Sequence, residues 1–198
     1  TVHGNMEVFD FDDDGDLDIY EVRMLSKGGG FPLPNLLHRN DGFGHFRTES
    51  LHQRNGGAAW GWTNAVLASD LTADGRTDIF ALNSWGSGNM LYAKTADGTF
   101  IEVTEASGLA GDTHLGLTAI SGDIDNDGAL DVLVLTSVDF GPSRLYHNDG
   151  RGHFHDITTE SGIDRVFASA VQAQFADMDL DGDLDLILGN ALQRHENV

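Results

Sequence analysis

The chain has no cysteine among its 198 residues. Disulfides and Cys-ligated zinc or iron–sulfur centres are therefore excluded, and any covalent-like staple must come from bound metal instead. Proline is scarce, with 3 residues against 25 glycines, which favours tight turns over proline-rich linkers. No apolar run approaches the roughly 18 residues of a membrane-spanning helix, so no membrane insertion is expected. Residues 1–6 lack the basic-then-apolar pattern of a secretory leader, and the expectation is a chain processed or cut from a longer one. Basic residues are also few: 11 Lys and Arg face 32 Asp and Glu, for a net charge of −21. Nucleic acids and anionic membranes are poor partners for such a surface, because counterion release needs clustered cations. No GxSxG, HExxH or phosphate-loop motif is present, so no enzyme is expected.

What the chain has is aspartate, and it is clustered. Four windows read DFDDDGDLD (10–18), DLTADGRTD (70–78), DIDNDGALD (123–131) and DMDLDGDLD (177–185), with 6, 3, 4 and 5 Asp respectively. Their first residues are 60, 53 and 54 positions apart. Two further motifs keep that beat: NDGFGHF (40–46), ADGTF (96–100) and NDGRGHF (148–154), then TES (48–50), TEASGL (104–109) and TESGI (159–163). Three signals in one phase define an internal repeat. The units run over 1–59, 60–112, 113–166 and 167–198, the last incomplete, within a single repeat domain.

Each unit reads as strands. Mostly apolar stretches precede the Asp windows (6–9, 65–68, 117–120, 171–176), and β-rich runs follow them (17–22, 77–82, 130–135, 184–188). A third segment (36–39, 90–93, 144–147) leads into an Asp-Gly turn and a short fourth strand (99–103, 153–157). Local helix propensity near 168–176 yields to the repeat phase, which makes that stretch a strand. The fold class is all-β, with β-propeller-like blades of four antiparallel strands and about three and a half repeats. That number implies an incomplete or open propeller, whose sheet edges need cover from other chains or self-assembly.

The windows share the pattern Asp-x-[Asp/Thr]-x-Asp-Gly-x-x-Asp. Calcium takes about six to eight hard oxygen ligands, and alternate residues of a tight loop can turn carboxylates toward one centre. Positions 1, 3, 5 and 9 offer side chains: Asp10, Asp12, Asp14 and Asp18; Asp70, Thr72, Asp74 and Asp78; Asp123, Asp125, Asp127 and Asp131; Asp177, Asp179, Asp181 and Asp185. Position 7 offers a backbone carbonyl, at Asp16, Arg76, Ala129 and Asp183. The glycine at position 6 permits the bend. Without a cation these carboxylates repel one another. About four Ca²⁺ ions are expected. Loop two is the weakest, since Thr72 replaces an acid and Arg76 brings a positive charge. The lone Asp-Gly pairs at 41–42, 97–98 and 149–150 read instead as hairpin turns. An EF-hand is disfavoured: loop one has Glu21 at position 12, but Ala81, Val134 and Leu188 stand there in the others.

The windows resemble the calcium loops of FG-GAP and VCBS repeats, found in integrin α-chain propellers and many bacterial surface proteins. The order LYHNDGRGHFHDITTESGI (145–163) followed by a DxDxDG loop is most similar to the VCBS-type, cartilage-acidic-protein-like version. The resemblance covers essentially the whole chain. It implies blades in which the calcium loop joins the first two strands, with the matching aspartates as ligands. Thr72 and the incomplete repeat number depart from the pattern.

Other residues invite chemistry. His153 and His155 are two apart on an expected strand, with His147 nearby, a set that reads either as a transition-metal site or as surface residues. Trp60, Trp62 and Trp85 cluster in unit two, where aromatics either stack on a sugar or fill space between blades. The expected function is an extracellular or cell-surface, secreted calcium-binding module for adhesion or recognition of a protein or glycan. The alternatives are the propeller portion of a secreted carbohydrate-active enzyme or lectin, and a subunit of a fibre or surface layer.

Overall fold

A computed structural model describes residues 5–23, 34–50, 62–84, 88–110, 115–136, 141–165 and 170–190. Among the described residues there are fourteen strands in four separate antiparallel sheets. The first blade is β1 (Met6–Phe9), β2 (Asp18–Glu21), β3 (Leu36–Asn40) and β4 (Phe46–Ser50), hydrogen-bonded in chain order. The second is β5 (Trp62–Ser69), β6 (Asp78–Ser84), β7 (Met90–Lys94) and β8 (Phe100–Glu102). The third is β9 (Gly116–Gly122), β10 (Asp131–Thr136), β11 (Arg144–Asn148) and β12 (Phe154–Asp156). The pair β13 (Ala170–Ala176) and β14 (Asp185–Asn190) opens a fourth. The helix-prone stretch near 168–176 is thus a strand where it is described, as the repeat phase requires.

The repeat extends to backbone detail. In β5, β9 and β13 the pairing register skips one residue, at Asn64, Leu117 and Val171. Each lies six positions before the first Asp of the following loop. A bulge increases local twist, so its recurrence gives the innermost strands a common shape.

The blades stack face to face. The first strands are neighbours in sequence order, β1 beside β5, β5 beside β9 and β9 beside β13. Ser69 and Ser121 hydroxyls lie 2.9 Å apart across β5 and β9, and Asn64 Nδ2 donates to Gly116 O at 3.2 Å. Between the first two blades Phe9, Phe11, Tyr20, Leu37, Ile79 and Phe100 form one core. Phe80, Leu91, Val132, Val134 and Tyr146 belong to the next, and Leu133, Leu135, Leu145 and Ala170 to the third. Every residue of β10 is buried because blades pack on both its faces, which explains the unbroken apolar run VLVL (132–135). Burial pushes the Tyr20 phenol up to about 12, opposed by the Asn35 amide that donates to its oxygen.

The third sequence motif takes a shape that the sequence reading missed. Thr104–Ser107 form a single helical turn, α1, capped by Gly108 in the left-handed region. The Thr104 hydroxyl accepts the Leu91 N–H at 2.9 Å, and Thr158 does the same for Leu145 at 3.0 Å. Ser107 and Ser161 hydroxyls then close on the Thr104 and Thr158 carbonyls. The true equivalence is Thr104 with Thr158, one residue from that of the quoted motifs. In the first blade, TES (48–50) is simply part of β4. Trp60 and Trp85 lie outside the described residues, and Trp62 begins β5 opposite Ser84.

Gly108 sits at φ +81°, and a Cβ there would come within 2.6 Å of the Phe154 carbonyl oxygen. Gly15, at φ +92°, has open space around its Cβ position. Gly15→Ala should therefore cost about 1 kcal/mol of backbone strain alone, and Gly108→Ala about 2–3 kcal/mol. Urea unfolding of the two variants checks this; equal losses would show that the contact with blade three has no weight.

Candidate metal centres

Each Asp window joins the first strand of its blade to the second, so all four loops stand at the same end of successive blades. The loops are built by aspartates that accept their own backbone N–H groups. The position-1 carboxylate takes two: Asp10 accepts from Asp14 N (3.2 Å) and Gly15 N (2.9 Å). Asp70, Asp123 and Asp177 repeat this pair of bonds at their own loops. The position-5 carboxylates of Asp14, Asp74, Asp127 and Asp181 each accept the N–H of position 7. Two left-handed residues complete the bend. Position 4 has positive φ in all four loops (Asp13, Ala73, Asn126, Leu180), as has the glycine at position 6. Positive φ at alanine and leucine costs energy, so the surrounding hydrogen bonds must enforce it.

Position 9 ties the loop to the sheet. Asp18 Oδ2 accepts from Phe11 N at 3.0 Å, while Oδ1 accepts from Asn40 N on β3 at 2.8 Å. Asp78 takes Leu71, Thr72 and Lys94 N–H groups, and Asp131 takes those of Ile124 and Asn148. These three side chains are buried. Asp185 accepts from Met178 N, has no third-strand partner among the described residues, and is exposed. Burial raises the Asp78 and Asp131 carboxyls above the usual carboxylate range, although the donated N–H groups pull the other way.

The folded loops bring the carboxylates at positions 1, 3 and 9 together. Ligand oxygens of Asp10, Asp12 and Asp18 all lie within 4.8 Å of one another, as do those of Asp123, Asp125 and Asp131, and of Asp177, Asp179 and Asp185. Position 5, expected as a fourth side-chain donor, joins no such oxygen cluster; Asp127 groups instead with Asp125 and His147. In loop two Thr72 interrupts the carboxylate set. Its hydroxyl is buried beside the Asp78 carboxyl, which it helps to hold down against the rise that burial imposes. Asp74 is paired with the Arg76 guanidinium, whose Nε also donates to Lys94 O at 2.7 Å. The donor atoms are hard oxygens throughout, which suits calcium or magnesium rather than soft metals.

Basic side chains from the third strand face position 3 in blades one and three. Arg39, lying over the Phe11 ring, pairs with Asp12 and Glu49. His147 Nε2 is 2.8 Å from Asp125 Oδ2. Ala93 holds the equivalent place in blade two, where position 3 is Thr72. Among the three blades whose third strand is described, the basic side chain is present where position 3 is an acid and absent where it is Thr72. Burial opposes the His147 charge, but Asp125, Asp131 and Asp127 outweigh it and hold its pKa above the usual histidine value. Further contacts link each of the first three loops to the following blade. The fully buried Lys94 places Nζ 2.7 Å from Asp13 Oδ1, an ion pair off the axis of a good hydrogen bond. Asn148 Nδ2 donates to Leu71 O, and Asn126 Nδ2 to Asp183 Oδ1.

The lone Asp-Gly pairs are turns, as expected. Asn40 Oδ1 accepts from Gly42 and Gly44, and Asn148 Oδ1 from Gly150 and Gly152. His45 and His153 lie beside Asp41 and Asp149 within these turns.

Known proteins are similar to this chain. The chain is 25% identical over 195 residues to Cartilage acidic protein 1 of Xenopus tropicalis, an overlap of 91% of this chain and 30% of that protein. The chain thus spans under a third of the length of that relative. Among solved structures, the exotype rhamnogalacturonan lyase YesX matches with a TM-score of 0.39 and 14% identity, over 76% of this chain and 37% of the lyase. The Bacillus licheniformis rhamnogalacturonan lyase PL11 matches with a TM-score of 0.41 and 15% identity, over 94% of this chain and 44% of that one. The model of the FG-GAP-like repeat matches twice, at residues 70–134 and 123–188, spanning loops two to four and the strands around them. With its Asp loops set between the first two strands of each blade, this chain belongs to the FG-GAP-like repeat family.

Proposed function

We propose that each loop holds one calcium ion, and that the ions brace a non-enzymatic recognition module working outside the cell. The observation that carries this reading is the grouping of three carboxylates at positions 1, 3 and 9 in three separate loops. Like charges so placed repel, and a divalent cation converts that repulsion into attraction. In loop one Asp10, Asp12 and Asp18 would hold the ion, with Asp14 and the carbonyl of Asp16 completing the oxygen set. Asp123, Asp125, Asp127, Ala129 and Asp131 serve loop three in the same order, and Asp177, Asp179, Asp181, Asp183 and Asp185 serve loop four. In loop two Asp70, Asp74 and Asp78 act with the Thr72 hydroxyl and the Arg76 carbonyl. The buried Thr72 hydroxyl, set beside the Asp78 carboxyl, supports that assignment. Four ions would cancel eight of the 21 net negative charges. Calcium near millimolar, as outside cells, loads such loops even at modest affinity. The absence of cysteine leaves metal as the available staple for each hairpin. The exposed outer strands would meet a protein or glycan ligand.

Elemental analysis of protein dialysed against calcium should find about four ions per chain. Chelation should then lower the melting temperature by more than about 5 °C, since even one site at a hundredfold excess over Kd contributes about 2.7 kcal/mol. An unchanged melting curve, from protein shown to have lost calcium, would contradict the proposal.

The raised Asp78 and Asp131 carboxyls give a pH signature. Without metal, a raised folded pKa adds stability that is complete below the ordinary value of 3.8 and is lost as pH rises through the folded pKa. Calcium binds the ionised form, so protons compete with it in that same window. Lowering the pH from 7 toward 4 should raise the melting temperature of chelated protein and lower that of calcium-loaded protein. Parallel slopes in the two samples would count against ions at these carboxylates.

A further inference from the structure

The third blade carries a feature that the other two complete blades lack. β11 and β12 pair antiparallel with His147 opposite His155. Flanking bonds from Asp149 N to His153 O (3.0 Å) and from Ile157 N to Leu145 O (2.9 Å) make 147 and 155 a hydrogen-bonded pair in the ladder. Directly opposed side chains project to the same face, with Cβ atoms roughly 5 Å apart. Two imidazoles so placed can reach one metal ion. At the equivalent positions the first blade has Arg39 opposite Arg47, and the second has Ala93 opposite Ile101. Neither pair can ligate.

The same face meets the rim of loop three. Ligand atoms of His147, Asp125 and Asp127 all lie within 4.8 Å of one another. Asp125 is turned two ways: Oδ1 accepts from the Asp127 N–H at 3.3 Å, inside the loop, and Oδ2 lies 2.8 Å from His147 Nε2. Calcium draws on oxygen donors and gains nothing from an imidazole. Zinc-class ions bind imidazole nitrogen and carboxylate oxygen together, typically with four ligands. His155 is exposed, so the site is open to solvent. His153, two residues before it, is drawn to Asp149 in the turn and is not part of the set.

We infer that Asp125, Asp127 and His147 form a binding site for a divalent transition-metal ion of the zinc class, on the rim of loop three and sharing its carboxylates. His155, exposed opposite His147 on β12, turns in as the fourth donor. The imidazoles lie outside the Asp loop, so this site does not depend on the calcium proposal. Calcium held in loop three would leave Asp125 Oδ2 free to serve the second ion.

The test is calorimetric titration of the full chain with zinc chloride, in saturating calcium and again after chelation and dialysis. One zinc per chain is expected in both. His147→Ala and His155→Ala should each weaken it at least tenfold, while His45→Ala, which alters an exposed histidine beside another aspartate, should leave it within twofold. Cobalt in place of zinc should give the intense visible absorption of a four-coordinate site, lost in the same two variants. His155 is exposed, so its variant keeps the fold, and a circular dichroism melt verifies that. Zinc affinity unchanged in both variants, or zinc uptake abolished by saturating calcium, would overturn the assignment. Calcium content, measured separately on the same samples, reports on the calcium proposal alone.

Discussion

The structure depends on aspartate side chains standing in for missing backbone partners. A nine-residue loop that bends twice through the left-handed region cannot satisfy its own N–H groups by regular secondary structure. Carboxylates at positions 1, 5 and 9 accept them instead. The position-9 residue adds a bond to the third strand, so one buried side chain fixes the loop, the first hairpin and the sheet edge together. The cost is a knot of negative charge at the end of every blade. Burial makes it worse by disfavouring the ionised form, which is why Asp78 and Asp131 hold their protons more tightly than usual. The same arrangement that closes the turn thereby creates a demand for positive charge.

The chain meets that demand partly from within. Arg39 faces Asp12, Arg76 faces Asp74, and Lys94 reaches Asp13 from the neighbouring blade. With 11 basic residues in all, internal cations cannot balance 32 acids. The proposed divalent ions at the loops would complete the balance. Contacts from a loop to the next blade, such as Leu71 O with Asn148 and Asn126 with Asp183, mean that ordering one loop supports its neighbour.

Much of the fold was legible in the sequence because the repeat imposes it. The Asp windows mark the ends of first strands, and the alternation around them separates strands from turns. β1 matches its expected range residue for residue, and the strand reading of 171–176 survives a local helix preference because three other blades share its phase. The position-9 burial was not legible, since aspartate is usually a surface residue and only the third strand's N–H groups explain it. The one-turn helix at 104–107 was missed because four residues carry no periodicity, and its cue is the Thr-x-x-Ser-Gly capping chemistry instead. The pairing of His147 with His155 was hidden for a different reason. Cross-strand register decides that His155, rather than His153, stands opposite His147, and register is not visible in residue spacing alone.

The most direct measurement is an anomalous difference map from crystals grown in calcium. The account predicts a peak enclosed by Asp10, Asp12 and Asp18, with counterparts at Asp123, Asp125 and Asp131 and at Asp177, Asp179 and Asp185, and a weaker one beside Asp70, Thr72 and Asp78. Ordered water or bare solvent at those points, in a well-resolved map, would contradict it.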